Sequence, residues 1–227
     1  MEDGKAMNKL DVLYIDNSVV VVKKPINVLS QSDNTGDISL HEMVKEYVKE
    51  KYNKPGNVYI GLVHRLDRPV SGIMVFARNS KSAKRLSLQV KNKTIKKTYV
   101  AVVNGILEKD EDTFIDYLER LDNGNTVVSS EDKGKYSKLS YKVLKRNYEL
   151  NETLVEIYLE TGRHHQIRVQ FASRGYPLCG DQRYGKMDKT QIALCAYKLE
   201  FVHPISKEKL EFCIDMPNIK YFNEFKW

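Results

Sequence analysis

Apolar and polar positions alternate over short runs along most of the chain, the period of a half-buried strand, and only three stretches carry helical spacing. Val12–Ile15 and Val19–Lys23 flank Asp16-Asn17-Ser18, which predicts a hairpin that Lys24-Pro25 terminates. Ile73-Met74-Val75-Phe76-Ala77 is continuously apolar, as in a buried strand. Further strands are predicted at Thr98–Val103, Thr113–Leu118, Thr126–Ser129, Leu139–Leu144, Thr153–Glu160, Leu194–Phe201 and Leu210–Ile214. Leu154 to Leu159 is apolar on both faces, which predicts an interior strand. Ser39 and Glu42 have capping-box spacing, and Leu40, Met43, Val44, Tyr47 and Val48 continue a helix to Glu50. Ser80 is placed to cap a second helix, with Ala83, Leu86 and Val90 inward. A third is predicted from His164 to Arg174, with Gly175 at C′ and Pro177 beyond. Strands outnumber helices and show no βαβ rhythm, so the expectation is a single α+β domain: a mixed, largely antiparallel sheet flanked by helices and loops. It would span residues 10–227, after a polar, frayed segment 1–9.

Composition narrows the class. A chain of 227 residues with 41% apolar and 30% charged content suits a globular protein rather than a disordered one. No apolar run approaches the ~20 residues of a membrane helix, and the N-terminus lacks the apolar core of a signal peptide. Cys179, Cys195 and Cys213 are far apart and lack Cys-x-x-Cys spacing, so they read as reduced thiols in a cytoplasmic protein. The net charge of +7 is unevenly spread. From Arg68 to Leu107 there are nine Lys/Arg and no acid, whereas Glu108 to Asp122 holds seven acids against two bases. A one-signed stretch of this length is commonly a solvated face; it also fits phosphate-backbone contacts.

Two segments concentrate reactive groups. In His64-Arg65-Leu66-Asp67-Arg68-Pro69-Val70-Ser71-Gly72 a carboxylate lies between two guanidinium groups, on a loop that feeds the buried strand. Pro69 biases Arg68 toward extended backbone, and Gly72 permits a turn. On these residues alone Asp67 reads equally as a structural ion pair or a reactive carboxylate. Gly162-Arg163-His164-His165-Gln166-Ile167-Arg168 gathers cations at a predicted helix start. Arg168 falls one turn after His164, and would pair with Asp67 if that helix packs beside the loop. A surface histidine pair and a structural salt bridge are the plainer alternatives. His64, Asp67, His164 and His165 lack metal-ligand spacing, Ser71 lacks the Gly-x-Ser-x-Gly context, and no phosphate-binding glycine loop is present.

Taken together, these segments resemble the RluA family of pseudouridine synthases, from about Val12 to Pro217 and in the family's order. Val19 to Pro25 is similar to its first motif; His64-Arg65-Leu66-Asp67 with Ser71-Gly72 resembles its catalytic motif; Lys97-Thr98-Tyr99-Val100-Ala101 resembles its tyrosine segment. Thr161 to Arg168, Gly175 to Leu178 and Gly180 to Gly185 resemble its third motif, and Leu199 to Pro204 its C-terminal signature. The sequence departs from the pattern at Asn27, Val70, His164 and Gln170, which touches substrate detail rather than reaction class.

The resemblance implies isomerisation of uridine to pseudouridine in rRNA and/or tRNA stem-loops, without cofactor or metal, by a monomer needing no protein partner. It implies Asp67 as the essential group, Arg168 as its partner in a two-pronged ion pair, Tyr99 stacked on the uracil, and Arg65 filling the space a flipped base vacates. His64, Lys97, Arg163 and His165 become candidate RNA contacts. The family often carries an N-terminal S4 RNA-binding domain, for which the stretch before the first strand is too short, so RNA affinity is expected from the catalytic domain. A non-catalytic RNA-binding or ribosome-assembly factor is the alternative; the joint presence of Asp67, Tyr99 and Arg168 counts against it. A metal-dependent phosphodiesterase is a third reading.

Overall fold

The computed structural model describes residues 10–186 and 190–225; the segment 1–9 expected to fray lies outside the described residues. The chain runs β1 (Asp11–Ile15), β2 (Val19–Lys24), α1 (Leu40–Lys51), β3 (Gly61–Leu62), β4 (Ser71–Ala77), α2 (Ser80–Lys91), β5 (Lys96–Asn104), β6 (Glu111–Arg120), β7 (Thr126–Ser129), β8 (Lys135–Asn147), β9 (Glu152–Leu159), α3 (Gln166–Ala172), β10 (Leu194–Val202), β11 (Lys209–Cys213) and α4 (Lys220–Asn223). All described strands join one sheet of order β1-β2-β4-β10-β5-β9-β8-β6-β7, with β3 also on β4 and β11 on β10. Its pairings are antiparallel except β10 with β4, so the expected mixed sheet is what forms. β9 lies between β5 and β8, the interior place its two apolar faces predict.

The pleat sends successive side chains to opposite faces, and the central strands are apolar on both. Val20 and Val22 of β2, with Met74 and Phe76 of β4, face Leu40, Val44 and Val48 of α1 and join the layer that includes Ile167 and Phe171 of α3. Val19, Val21, Ile73 and Val75 face the other way, onto Leu86 of α2. Farther along that side, Val100, Val102 and Leu154 pack with Tyr221, Phe222 and Phe225 of the C-terminal segment.

Local signals set several boundaries. Ser39 caps α1 in the expected box: its backbone N–H donates to Glu42 Oε2 at 2.8 Å, and Glu42 N–H donates to Ser39 Oγ at 3.3 Å. α2 corrects the expectation by one residue, since Asn79, extended at φ −153°, accepts the Ser82 N–H and is the cap in place of Ser80. α3 is shorter than predicted at both ends. It starts at Gln166 because His165 sits in the left-handed region at φ 52°, and it stops at Ala172 before the turn to Gly175.

Register places the site. Ser71 and Gly72 at the head of β4 pair with Cys195 and Ala196 of β10. Gly72 has φ +139°, and a Cβ there would run into the Ala196 backbone, so this close approach requires glycine. The 64–70 loop therefore opens at the middle of the sheet, beside β5 and the start of α3.

Candidate active site

Burial alternates over residues 64–66, and a turn at 68–69 follows. His64, Leu66 and Val70 are buried, Arg65 and Arg68 are exposed, and Asp67 is half-buried. Each inward position is tied down. The Val75 N–H donates to His64 Nε2 at 3.1 Å. Ser30 Oγ donates to the Leu66 carbonyl at 2.6 Å and accepts the Leu66 N–H at 3.1 Å. The fully buried Lys24 ammonium donates to the carbonyls of Val28 at 2.6 Å, Pro25 at 3.0 Å and Arg68 at 3.0 Å. Burial pushes the Lys24 pKa down to about 7. The Val70 N–H closes the turn on the Asp67 carbonyl at 3.0 Å, and Gln191 donates to the Pro69 carbonyl. A backbone held at so many points aims the Asp67 carboxylate without large entropy loss on binding.

That carboxylate opens into a cleft of about 1800 Å³. Nine Lys/Arg side chains line it against four Asp/Glu: Arg65, Arg68, Lys91, Lys93, Lys97, Arg120, Arg163, Arg168 and Arg183 face Asp33, Asp67, Glu160 and Asp181. A surplus of positive charge in a concave site draws a polyanion and focuses its field there. Among the described residues no cluster of His, Cys, Asp or Glu could hold a metal ion, and no helix is long and apolar enough to cross a membrane.

α3 brings Arg168 to Asp67, with Nη1 3.3 Å from Oδ2. The two-pronged partner of Arg168, however, is Asp181, not Asp67. Nε and Nη2 of Arg168 donate to Asp181 Oδ2 and Oδ1 at 2.8 and 2.7 Å. Burial opposes the Arg168 charge, but the carboxylates of Asp181 and Asp67 outweigh it and raise its pKa. Asp181 anchors the guanidinium, which then presents a single N–H to Asp67. Sequence reasoning overlooked Asp181, although it lies in the Gly180–Gly185 motif quoted above.

Tyr99 of β5 is buried on the cleft wall, and its hydroxyl makes no hydrogen bond among the described residues. Burial first, and then the nearby Asp67 charge, push its pKa up, so it stays a neutral phenol. Lys97 projects into the same cleft beside Gly162. Burial lowers its pKa, and no carboxylate pairs with it among the described residues. Arg65 is exposed at the rim and makes no hydrogen bond or ion pair among the described residues. Arg163 spends one N–H on the Tyr136 carbonyl at 3.0 Å and leaves the rest of its fork free.

The structure places the remaining groups of the two segments. Arg68 pairs with Asp37 at 2.6 Å, on the exposed rim, and not with Asp67. His64 lines the cleft and is held as a strut: it is buried, its Nε2 accepts from the Val75 N–H, and burial and then the Lys97 charge push its pKa down to about 3. His164 shares no helical face with Arg168, because it precedes α3; its Nδ1 lies 2.8 Å from Thr126 Oγ1 and its ring stacks on His165 at 3.7 Å. His165 does reach the centre, with Nε2 3.6 Å from Asp67 Oδ2.

Residues 18–173 match the family described as RNA pseudouridylate synthase. The chain is 34% identical over 218 residues to the uncharacterized RNA pseudouridine synthase YhcT of Bacillus subtilis, covering 93% of this chain and 71% of that one. It is 31% identical over 229 residues to ribosomal large subunit pseudouridine synthase C of Buchnera aphidicola, covering 95% and 69%. Among solved structures, human RNA pseudouridylate synthase domain containing 1 superposes with a TM-score of 0.75 at 25% identity, over 96% of this chain and 87% of the other.

Proposed function

The chain belongs to the RNA pseudouridylate synthase family, of the RluA type, and from that membership we propose that it isomerises specific uridines in ribosomal or transfer RNA stem-loops, with Asp67 as the essential catalytic residue. The observation that carries the role of Asp67 is its placement: a half-buried carboxylate at the focus of a cationic cleft, with Arg168 3.3 Å from one of its oxygens. Likeness to relatives named for the large ribosomal subunit favours ribosomal RNA as the substrate.

The reaction cuts the bond from ribose C1′ to uracil N1, turns the base, and joins C5 to C1′. Attack on C1′ or C6 and abstraction of the 2′ proton all require an ionised carboxylate with one oxygen free. The contacts of Arg168 and His165 with Asp67 are to Oδ2, and among the described residues no hydrogen bond is donated to Oδ1. Oδ1 is therefore the atom that acts on the nucleotide. Tyr99 stacks on the extruded uracil with its neutral hydroxyl near C5. Unpaired Arg65, on the outward side of the same loop, takes the place the base leaves and offsets part of the few kcal/mol of unstacking. Lys97 and Arg163 receive the flanking phosphates.

The test is Asp67→Asn assayed on RNA tritiated at uridine C5. The wild type should release tritium, and the variant should bind RNA with near-wild-type affinity but release none. Turnover by the variant would remove Asp67 from its role. A wild type that binds RNA and never forms pseudouridine would overturn the enzymatic reading itself.

A further inference from the structure

Behind Asp67 runs a chain of polar contacts between three elements that the catalytic reading leaves without a purpose. The Thr126 N–H of β7 donates to the Tyr184 hydroxyl oxygen at 2.9 Å. That oxygen is also 2.7 Å from His165 Nδ1. On the far side of the ring, His165 Nε2 is 3.6 Å from Asp67 Oδ2. The Tyr184 ring meets His165 edge-on at 5.5 Å, and the Arg168 guanidinium lies 5.1 Å from the Tyr184 ring centre.

The hydrogens on this chain can be assigned from donor and acceptor inventories. Thr126 must donate, so Tyr184 accepts from it and directs its own hydrogen elsewhere. The hydrogen-bonding neighbour at hand is His165 Nδ1, which then accepts. A neutral imidazole that accepts at Nδ1 carries its proton on Nε2, the nitrogen facing Asp67. The opposite tautomer would set a ring lone pair against a carboxylate and leave the Tyr184 hydrogen without this acceptor. The imidazolium is opposed by burial, by the Arg168 charge, by stacked His164, and by the charges of Arg183 and Arg120, which together push the pKa down to about 2. The backbone agrees with a positional role. His165 holds a left-handed conformation, φ 52° and ψ 22°, which breaks the predicted helix and sends the ring into the cleft. Strained non-glycine residues of this kind collect where geometry serves function.

We propose that His165 is a positioning residue, locked by Tyr184 as its neutral Nε2–H tautomer, that together with Arg168 pins Oδ2 of Asp67 and leaves Oδ1 to react. The 3.6 Å separation is longer than a hydrogen bond, as catalytic contacts often are before substrate closes the site. Two donors on one oxygen fix the plane of the carboxylate, which a single long contact to Arg168 does not. The role rests on the catalytic assignment of Asp67 made above, but the tautomer can be read in the folded protein without turnover.

Ring-¹⁵N-histidine labelling with long-range proton–nitrogen NMR gives that reading. The expected pattern for His165 is an unprotonated Nδ1 and a protonated Nε2, unchanged from about pH 6 to 8. Tyr184→Phe, which keeps the ring and removes the hydroxyl, should shift His165 toward mixed tautomers. It should lower kcat about tenfold, with KM within about twofold, the loss expected when the Nε2–H of His165 gives up its hydrogen bond to the charged Asp67 carboxylate. His165→Gln, which can carry an N–H to the Nε2 position, should keep more activity than His165→Leu. A protonated Nδ1 or an imidazolium in the wild type at neutral pH would overturn the proposal, as would a Tyr184→Phe enzyme with unaltered kcat. An inactive wild type with the expected tautomer would instead count against the catalytic reading of Asp67.

Discussion

Asp181 carries more of the centre than its neighbours in sequence suggest. It is 1% exposed, faces Arg168 with both oxygens, and also accepts the backbone N–H groups of Arg183 at 2.9 Å and Tyr184 at 3.1 Å. Losing one charge of a buried pair strands the other, which costs about 3 kcal/mol or more. Asp181→Asn, similar in shape but neutral, is therefore expected to lower stability by about 3 kcal/mol in urea titrations and to depress kcat, because Arg168 loses the anchor that aims it at Asp67. A loss under about 1 kcal/mol would show that the guanidinium finds another partner. The convergence of Asp67 and Arg168, 101 residues apart, was legible as a conditional pairing of two motifs. The division of labour was not. Which carboxylate takes both prongs depends on the turn after α3, and no local spacing encodes that. The kink at His165 was hidden for a different reason: histidine gives no backbone signal of the kind glycine gives, so the helical pattern ran straight through it.

Where α4 meets β9, two carboxylates face each other. Glu152 opens β9, is nearly buried, and has its pKa raised to about 7 by burial and then by Glu224, the residue that ends α4. With a folded pKa above the usual value, the folded state holds a proton that the unfolded chain has released. The stabilisation from this group is fully present below about pH 4.5 and is lost as pH rises through about 7. Glu152→Gln mimics the protonated form, so its melting temperature should lack the wild-type decline over that window. Parallel pH–melting curves for the two proteins would refute this arrangement of β9 and α4. Neither α4, at 4 residues, nor β3, at 2, was readable from periodicity, because neither spans enough positions to establish a period. The longer elements were readable, since their apolar faces repeat often enough to outweigh local composition. β4, apolar from Ile73 to Ala77, read at once as a buried strand.

At the scale of the molecule, the acid-free stretch foretold a basic face but not its composition. Of its nine cationic residues, Arg68, Lys91, Lys93 and Lys97 line the cleft. Arg78 instead lies over the Tyr52 ring and bonds to Asp16, and Arg85 bonds to the Pro204 carbonyl at 2.7 Å. The rest of the cationic wall comes from Arg120 at the end of β6, Arg168 on α3, and Arg65, Arg163 and Arg183 in three loops. A charge run shows polarity along the sequence, whereas the cleft is assembled by the sheet, which folds one part of the acidic stretch, Arg120, into a basic wall. Lys97 is the most telling of these groups. It is an ammonium losing hydration to burial, with no carboxylate to replace it among the described residues, so an approaching phosphate gains more there than at a solvated lysine. Each phosphate neutralised releases condensed counterions and contributes about 0.7 to the slope of log affinity against log salt for single strands, or about 0.9 for duplex. Lys97→Gln is therefore expected to flatten that slope by about one phosphate and to weaken binding equally across RNA sequences. Lys49, exposed on α1 and outside the cleft, is the control, and Lys49→Gln should leave the slope unaltered. If Lys97→Gln kept the full slope, the phosphate path would have to run along the Arg163 side of the cleft, and the unpaired ammonium would need another explanation.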